Sequence, residues 1–143
     1  MAKLGFSYLP RIVINPKTNT QEEIFTPFIP IKFSVAHENP TNLVDALIDS
    51  GSDTNLFPLQ LGKMLGIKFK KVNEKTIYGI GGTQIKAYTA KINIWLNNTR
   101  YKTEADFSRE HQGLLLGRQG FFNLFKSVTF DEKGRFTYIE TFS

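Results

Sequence analysis

The sequence predicts an all-β, barrel-like fold, and three observations carry that prediction. Most apolar residues fall in short runs, several alternating with polar ones, between turn-forming Gly, Pro, Asn and Asp. Helical spacing is confined to two brief stretches. No segment repeats, and a chain of 143 residues can bury a core of its own.

The elements follow in order. Leu9 to Ile14 and Glu23 to Phe28 read as short edge strands, since Pro10 is tolerated at a sheet edge but not in a central strand. The polar tract between them, with Pro16, is turn and loop. Ile29 to Val35 alternates as a strand, Glu38 to Asn42 turns around Pro40, and Leu43 to Ile48 is an apolar strand that ends on Asp49. After Thr54 the period changes. Pro58 suits the first turn of a helix whose Leu59, Leu61, Met64 and Leu65 share an apolar face, and Gly66 ends it.

From Ile67 onward the chain predicts strands at Ile67 to Val72, Lys75 to Tyr78, Gln84 to Leu96 and, after an Asn97-Asn98 turn, Arg100 to Phe107. Trp95 is expected in the core or on a sheet face. Leu114 to Leu116 is wholly apolar, as a buried strand would be, and Gly120 to Phe125 suits a helical turn or two. Val128 to Phe130 and Phe136 to Ile139 flank Asp131-Glu132-Lys133-Gly134, a hairpin with positive φ expected at its glycine.

Composition removes several function classes. Without cysteine there is no disulfide, thiolate metal site or cysteine nucleophile, and two histidines give little to bind a metal with. No apolar run reaches the ~20 residues of a membrane span, and Met1 to Ser7 lacks the core of a signal peptide, so a cytoplasmic protein is expected. Without an export signal, the sequon Asn97-Asn98-Thr99 carries little weight. The net charge of +5 permits a nucleic-acid partner. Yet the lysines from Lys63 to Lys75 alternate with apolar residues, as in Lys68-Phe69-Lys70, which describes a solvated strand face better than a binding patch.

The chemistry concentrates in Ala46-Leu47-Ile48-Asp49-Ser50-Gly51-Ser52-Asp53-Thr54. An apolar run climbs to one carboxylate, and a small hydroxyl residue and a glycine then turn the backbone away, which presents Asp49 at a strand end. An Asp-Ser/Thr-Gly tripeptide alone arises by chance in about one chain of this length in fifteen, so two later stretches matter. Tyr78-Gly79-Ile80-Gly81-Gly82 reads as a hairpin tip. It lacks the last glycine of a dinucleotide fingerprint and the Gly-Lys-Ser/Thr of a phosphate loop. Leu114-Leu115-Leu116-Gly117-Arg118 reads as a core strand followed by an arginine. Asp45 lies near a strand start and is expected in solvent, His37 and His111 fall in polar loops, and Ser50 lacks the Gly-x-Ser-x-Gly elbow of a hydrolase nucleophile.

Taken together and in this order, the three stretches resemble the retropepsins, aspartic proteases of retroviral type. Gln119-Gly120-Phe121-Phe122 and Val128-Thr129-Phe130-Asp131 look closer to the bacterial members. The resemblance covers roughly Ile29 to Phe130. It implies a retropepsin-like barrel over residues 29–143, preceded by an extension with edge strands over 1–28. It also implies a homodimeric endopeptidase that acts on peptide or protein substrates without cofactor or metal. Asp49, Ser50 and Gly51 would form the catalytic turn, with Ser50 locking the two loops across the dimer axis. Gly79, Ile80, Gly81 and Gly82 would form a flap over the substrate, Asp53 would bind substrate backbone, and Leu47, Ile80 and Leu115 would line apolar subsites. In the family, an arginine after the apolar run pairs with the acidic residue two positions past the motif glycine. Here those are Arg118 and Asp53, a bracing pair. The Ser52 hydroxyl is expected to donate to the Asp49 carboxylate, and with it comes an acidic optimum. Leu9 to Ile14 and Phe136 to Phe142 are the edges expected to pair in a dimer. Two other readings remain: a barrel that binds peptides or partners without cleaving them, and a basic nucleic-acid-binding β domain.

Overall fold

The computed structural model describes residues 2–36 and 38–142, with Ile80 by its backbone alone. His37 therefore lies outside the described residues. Strands hold about half of the chain and, among the described residues, the one α-helix spans six residues, which is the all-β class. In chain order the strands are β1 (Lys3–Ser7), β2 (Leu9–Asn15), β3 (Thr20–Thr26), β4 (Phe28–Ser34), β5 (Val44–Ile48) and β6 (Leu56–Pro58). Helix α1 (Leu59–Met64) follows, then β7 (Glu74–Tyr78), β8 (Gln84–Leu96), β9 (Thr99–Ser108), β10 (Leu115–Leu116), β11 (Ser127–Asp131) and β12 (Phe136–Glu140). No helix among the described residues is long and apolar enough to cross a membrane.

Two compact units divide the chain, one of residues 30–124 and one of residues 1–29 with 125–143. In the first, the strand order β4-β5-β10-β6-β9-β8 closes on itself through a β8–β4 pairing, a six-stranded barrel, with β7 attached to β8. Its centre is aromatic. Phe57 sits edge-on to Phe33 at 4.9 Å and to Phe107 at 5.7 Å between ring centroids. All three rings are fully buried, so each contributes several kcal/mol by burial and edge-to-face packing. The long β8–β9 hairpin is closed by Asn97 and Asn98, whose φ values of 46° and 68° suit a two-residue turn of the tight, primed kind. Trp95 on β8 is half-buried, and its indole N–H donates to Ser34 Oγ at 2.8 Å.

Pro58, expected in the first turn of helix α1, instead precedes it as an extended capping residue at the end of β6, whereas Gly66 at φ 82° follows the helix as expected. The apolar face differs from expectation. Leu59 and Gly62 are buried while Met64 is 76% exposed, because so short a helix turns only one narrow side inward. Gly62 is needed there: a Cβ at that position would collide with the Phe69 ring.

Ile67 to Val72, expected as a strand, is extended only in part and joins no sheet. Lys71–Asn73 is a single 3₁₀ turn. The alternation is nevertheless real, since Ile67 and Phe69 are half-buried and Lys68 and Lys70 exposed. Phe69 packs on Phe107 at 5.3 Å and Tyr88 at 5.8 Å, so ring packing holds this segment where a ladder was expected.

In the other unit, β1-β12-β11 form a three-stranded antiparallel sheet and β2-β3 a separate hairpin. Strand β12 lies in the middle. Both of its edges are already hydrogen-bonded, so Phe136 to Glu140 cannot serve as a free edge for a second chain, contrary to expectation. Positive φ in the β11–β12 turn falls on Arg135, at 57°, and not on Gly134. Gly134 serves close approach instead: its N–H donates to Asp131 Oδ1 at 2.8 Å, and a Cβ would strike that carboxylate. The Tyr8 N–H donates to the Arg135 carbonyl at 2.7 Å, and burial, with Glu132 nearby, pushes its phenol above the ordinary range.

Candidate active site

Strand β5 delivers Asp49 to its position. Ala46 and Ile48 point into the core and Leu47 is half-buried, so the alternation aims Asp49 away from the interior while its backbone stays in the barrel wall. Parallel pairing with β10 sets the register, Leu47 with Leu115 and Ile48 with Leu116, and the Asp49 N–H donates to the Leu116 carbonyl at 2.9 Å. The chain then folds back on the carboxylate. Gly51 N–H donates to Asp49 Oδ1 at 2.9 Å and Ser52 N–H to the Asp49 carbonyl at 3.1 Å. Among the described residues no partner is found for Oδ2, and Asp49 is half-buried beside an exposed Ser50. The turn thus fixes the carboxylate through one oxygen and leaves the other available.

The segment after β10 locks this loop from below. Arg118 N–H donates to the Ser52 carbonyl at 2.9 Å and Gln119 N–H to the Asp53 carbonyl at 2.8 Å. Gly117 allows the approach, because a Cβ there would collide with the Thr54 carbonyl. Fully buried Asn55, just before β6, ties β9 to the segment that follows β10. Its amide donates to the Glu104 carbonyl at 2.9 Å, its side-chain oxygen accepts the Gly117 N–H at 3.0 Å, and its carbonyl accepts the Asp106 N–H at 2.8 Å.

Two expected side-chain contacts are absent. No ion pair joins Arg118 to Asp53 among the described residues; both side chains are exposed, and the bracing runs through their backbones. The Ser52 hydroxyl donates to the Thr54 carbonyl at 2.7 Å, a bond internal to the loop, and not to Asp49. Ser52→Ala is therefore expected to cost about 1 kcal/mol of stability and to leave the pH–rate profile where it was. A displaced profile would show that the hydroxyl reaches the carboxylate after all.

Leu47 and Leu115, half-buried register partners, flank Asp49. Gly79, Gly81 and Gly82 lie where β7 turns into β8, with φ of 80° and 78° at the last two and the Gly79 N–H donating to the Thr83 carbonyl at 2.7 Å. The side chain of Ile80 lies outside the described residues. Asp45 is exposed, as expected. His111 is half-buried, and burial lowers its pKa from the ordinary value. No cluster of three acidic or histidine side chains able to hold a metal occurs among the described residues.

Sequence reading missed the most elaborate polar group of this unit. Asp106 on β9 is 1% exposed, and its carboxylate meets Thr54, Lys75 and Thr89. A signal was present: a carboxylate set between the apolar residues Ala105 and Phe107.

No known family pattern matches the sequence, and no curated protein does. Solved structures do match. A retropepsin-like aspartic protease from Rickettsia conorii aligns over 98% of this chain and 94% of its own, with a TM-score of 0.59 at 13% identity. EIAV protease in complex with the inhibitor HBY-793 aligns over 65% of this chain and 82% of its own, with a TM-score of 0.52 at 19% identity. With the closed barrel and the strand order described above, the chain has the retropepsin-like acid-protease fold.

Proposed function

We propose that the protein is an aspartic endopeptidase whose active site is completed by a second copy of the same chain. The observation that carries this reading is the Asp49 turn: one carboxylate oxygen held by the Gly51 amide, the other without a partner among the described residues, in a loop braced by Arg118 and Gln119. The fold shared with aspartic proteases supports it. In such chemistry two carboxylates in contact share one proton, because like charges so close cannot both ionise. The ionised member removes a proton from a bound water as that water attacks the scissile carbonyl. The protonated member stabilises the oxyanion and then helps the amine depart.

This chain supplies one Asp-Ser-Gly turn, so the second carboxylate is assigned to Asp49 of another copy. Ser50, exposed next to Asp49, is assigned to the contact between the two loops, and Asp53 to the substrate backbone. Leu47 and Leu115 suit apolar subsites. The β7–β8 hairpin acts as a flap, and glycines at its tip suit a backbone that must approach the substrate closely.

Incubating the protein with a mixed peptide library at acidic and neutral pH tests the reading. Cleavage within peptides, blocked by a statine-type inhibitor, is the expected result. Peptide binding without cleavage would replace the reading with that of a binding module.

A further inference from the structure

We propose that buried Asp106 is a latch that registers the base of the β7–β8 hairpin to the loop carrying Asp49, and that Lys75 is its releasable half. The inference rests on the flap reading of that hairpin. Asp106 lies on β9, outside the catalytic turn, and three elements converge on its carboxylate. Thr54, at the end of the Asp49 loop, donates its hydroxyl to Oδ2 at 2.7 Å. Thr89 on β8 donates to Oδ1 at 2.7 Å, directly across the ladder from Asp106. Lys75 on β7 places Nζ 2.8 Å from Oδ2.

Burial and charge make this group more than a brace. A carboxylate out of water is costly unless paired, and an apolar residue would fill such a site at less cost. Its three partners differ in kind. Thr54 and Thr89 are short side chains on the barrel, whereas Lys75 reaches in on a flexible stem that is 42% exposed. Lys75 also sits on the outer strand β7, whose ladder partner among the described residues is β8. If the hairpin tilts outward, Nζ can leave, and the buried charge then keeps only two neutral donors. Hairpin position and satisfaction of Asp106 are therefore linked, with the paired state favoured. The lever is long: Tyr78, three residues beyond Lys75, stands about 10 Å further out at the rise of a strand, so a small tilt at the base becomes a larger displacement at the glycine tip.

Lys75 and Asp106 are thus positioning residues. The test follows Lys75→Ala, Lys75→Arg and Asp106→Asn by amide hydrogen exchange across residues 74–89 and by peptidase kinetics. Lys75→Ala, which alters a half-exposed side chain, keeps the test valid even if Asp106→Asn fails to fold. The expected result is exchange about tenfold faster in β7 and at the tip in Lys75→Ala, with the rest of the barrel unchanged. KM should rise about 3–10-fold with kcat nearly constant, and Lys75→Arg should restore both. Unchanged hairpin exchange in folded Lys75→Ala, or a uniform increase over the whole barrel, overturns the latch. A wild type that cleaves nothing removes the protease reading instead, and the exchange data still decide the latch.

Discussion

Asp49→Asn is expected to lower peptide hydrolysis by about 1000-fold or more while the chain stays folded. The structural half of that expectation follows from the turn. Asn retains an oxygen in the place of Oδ1, so the Gly51 amide keeps its acceptor, and the backbone bonds from Ser52, Arg118 and Gln119 do not involve the side chain at all. The chemical half follows from the role: an amide cannot take a proton from water, and loss of a general base costs roughly 10²–10⁴-fold before the loss of the shared proton is added. The thermal midpoint should stay within about 3 °C of wild type. Activity within a factor of a few of wild type would remove Asp49 from the mechanism.

The second large effect concerns the missing carboxylate. If it comes from another copy, specific activity must fall on dilution through the dimer dissociation constant. Asp49→Asn chain must also poison wild type. With a ninefold excess of mutant and free exchange, about one wild-type chain in ten still meets a wild-type partner, so activity per wild-type chain falls to about a tenth. Unchanged activity after demonstrated subunit exchange would mean that each chain acts alone. The interface cannot use β12 as an edge, since β1 and β11 flank it; among the described residues, β1, β11 and the strands of the β2–β3 hairpin each have one side without a ladder partner.

Where local chemistry decides structure, the sequence was legible. The run from Leu43 to Ile48 announces a strand, Asp49-Ser50-Gly51 a turn, and Asn97-Asn98 the tight hairpin between β8 and β9. The β8 boundaries match their expectation residue for residue, because both ends carry turn formers. What failed depended on distant partners. Lys3–Ser7 looks unremarkable until β12, from the other end of the chain, pairs with it. Ile67 to Val72 alternates because Phe69 is packed, and periodicity reports burial without reporting a ladder. Near Asp49, backbone pairing alone sets Leu47 opposite Leu115 and Ile48 opposite Leu116. The Arg118–Asp53 ion pair and the Ser52–Asp49 contact did not follow, since each depends on the direction of a side chain that spacing alone does not set. Asp106 escaped because its partners come from three separate elements.

Inhibitor stoichiometry separates a site shared by two chains from a site on each chain. A tight statine-type inhibitor mimics the tetrahedral intermediate and fills one complete site, so titrating it against a known concentration of chain counts the sites. One inhibitor bound for every two chains is expected, with the inhibited species running as a dimer and Asp49→Asn showing no tight binding. One inhibitor bound per chain, on a monomer, would contradict it.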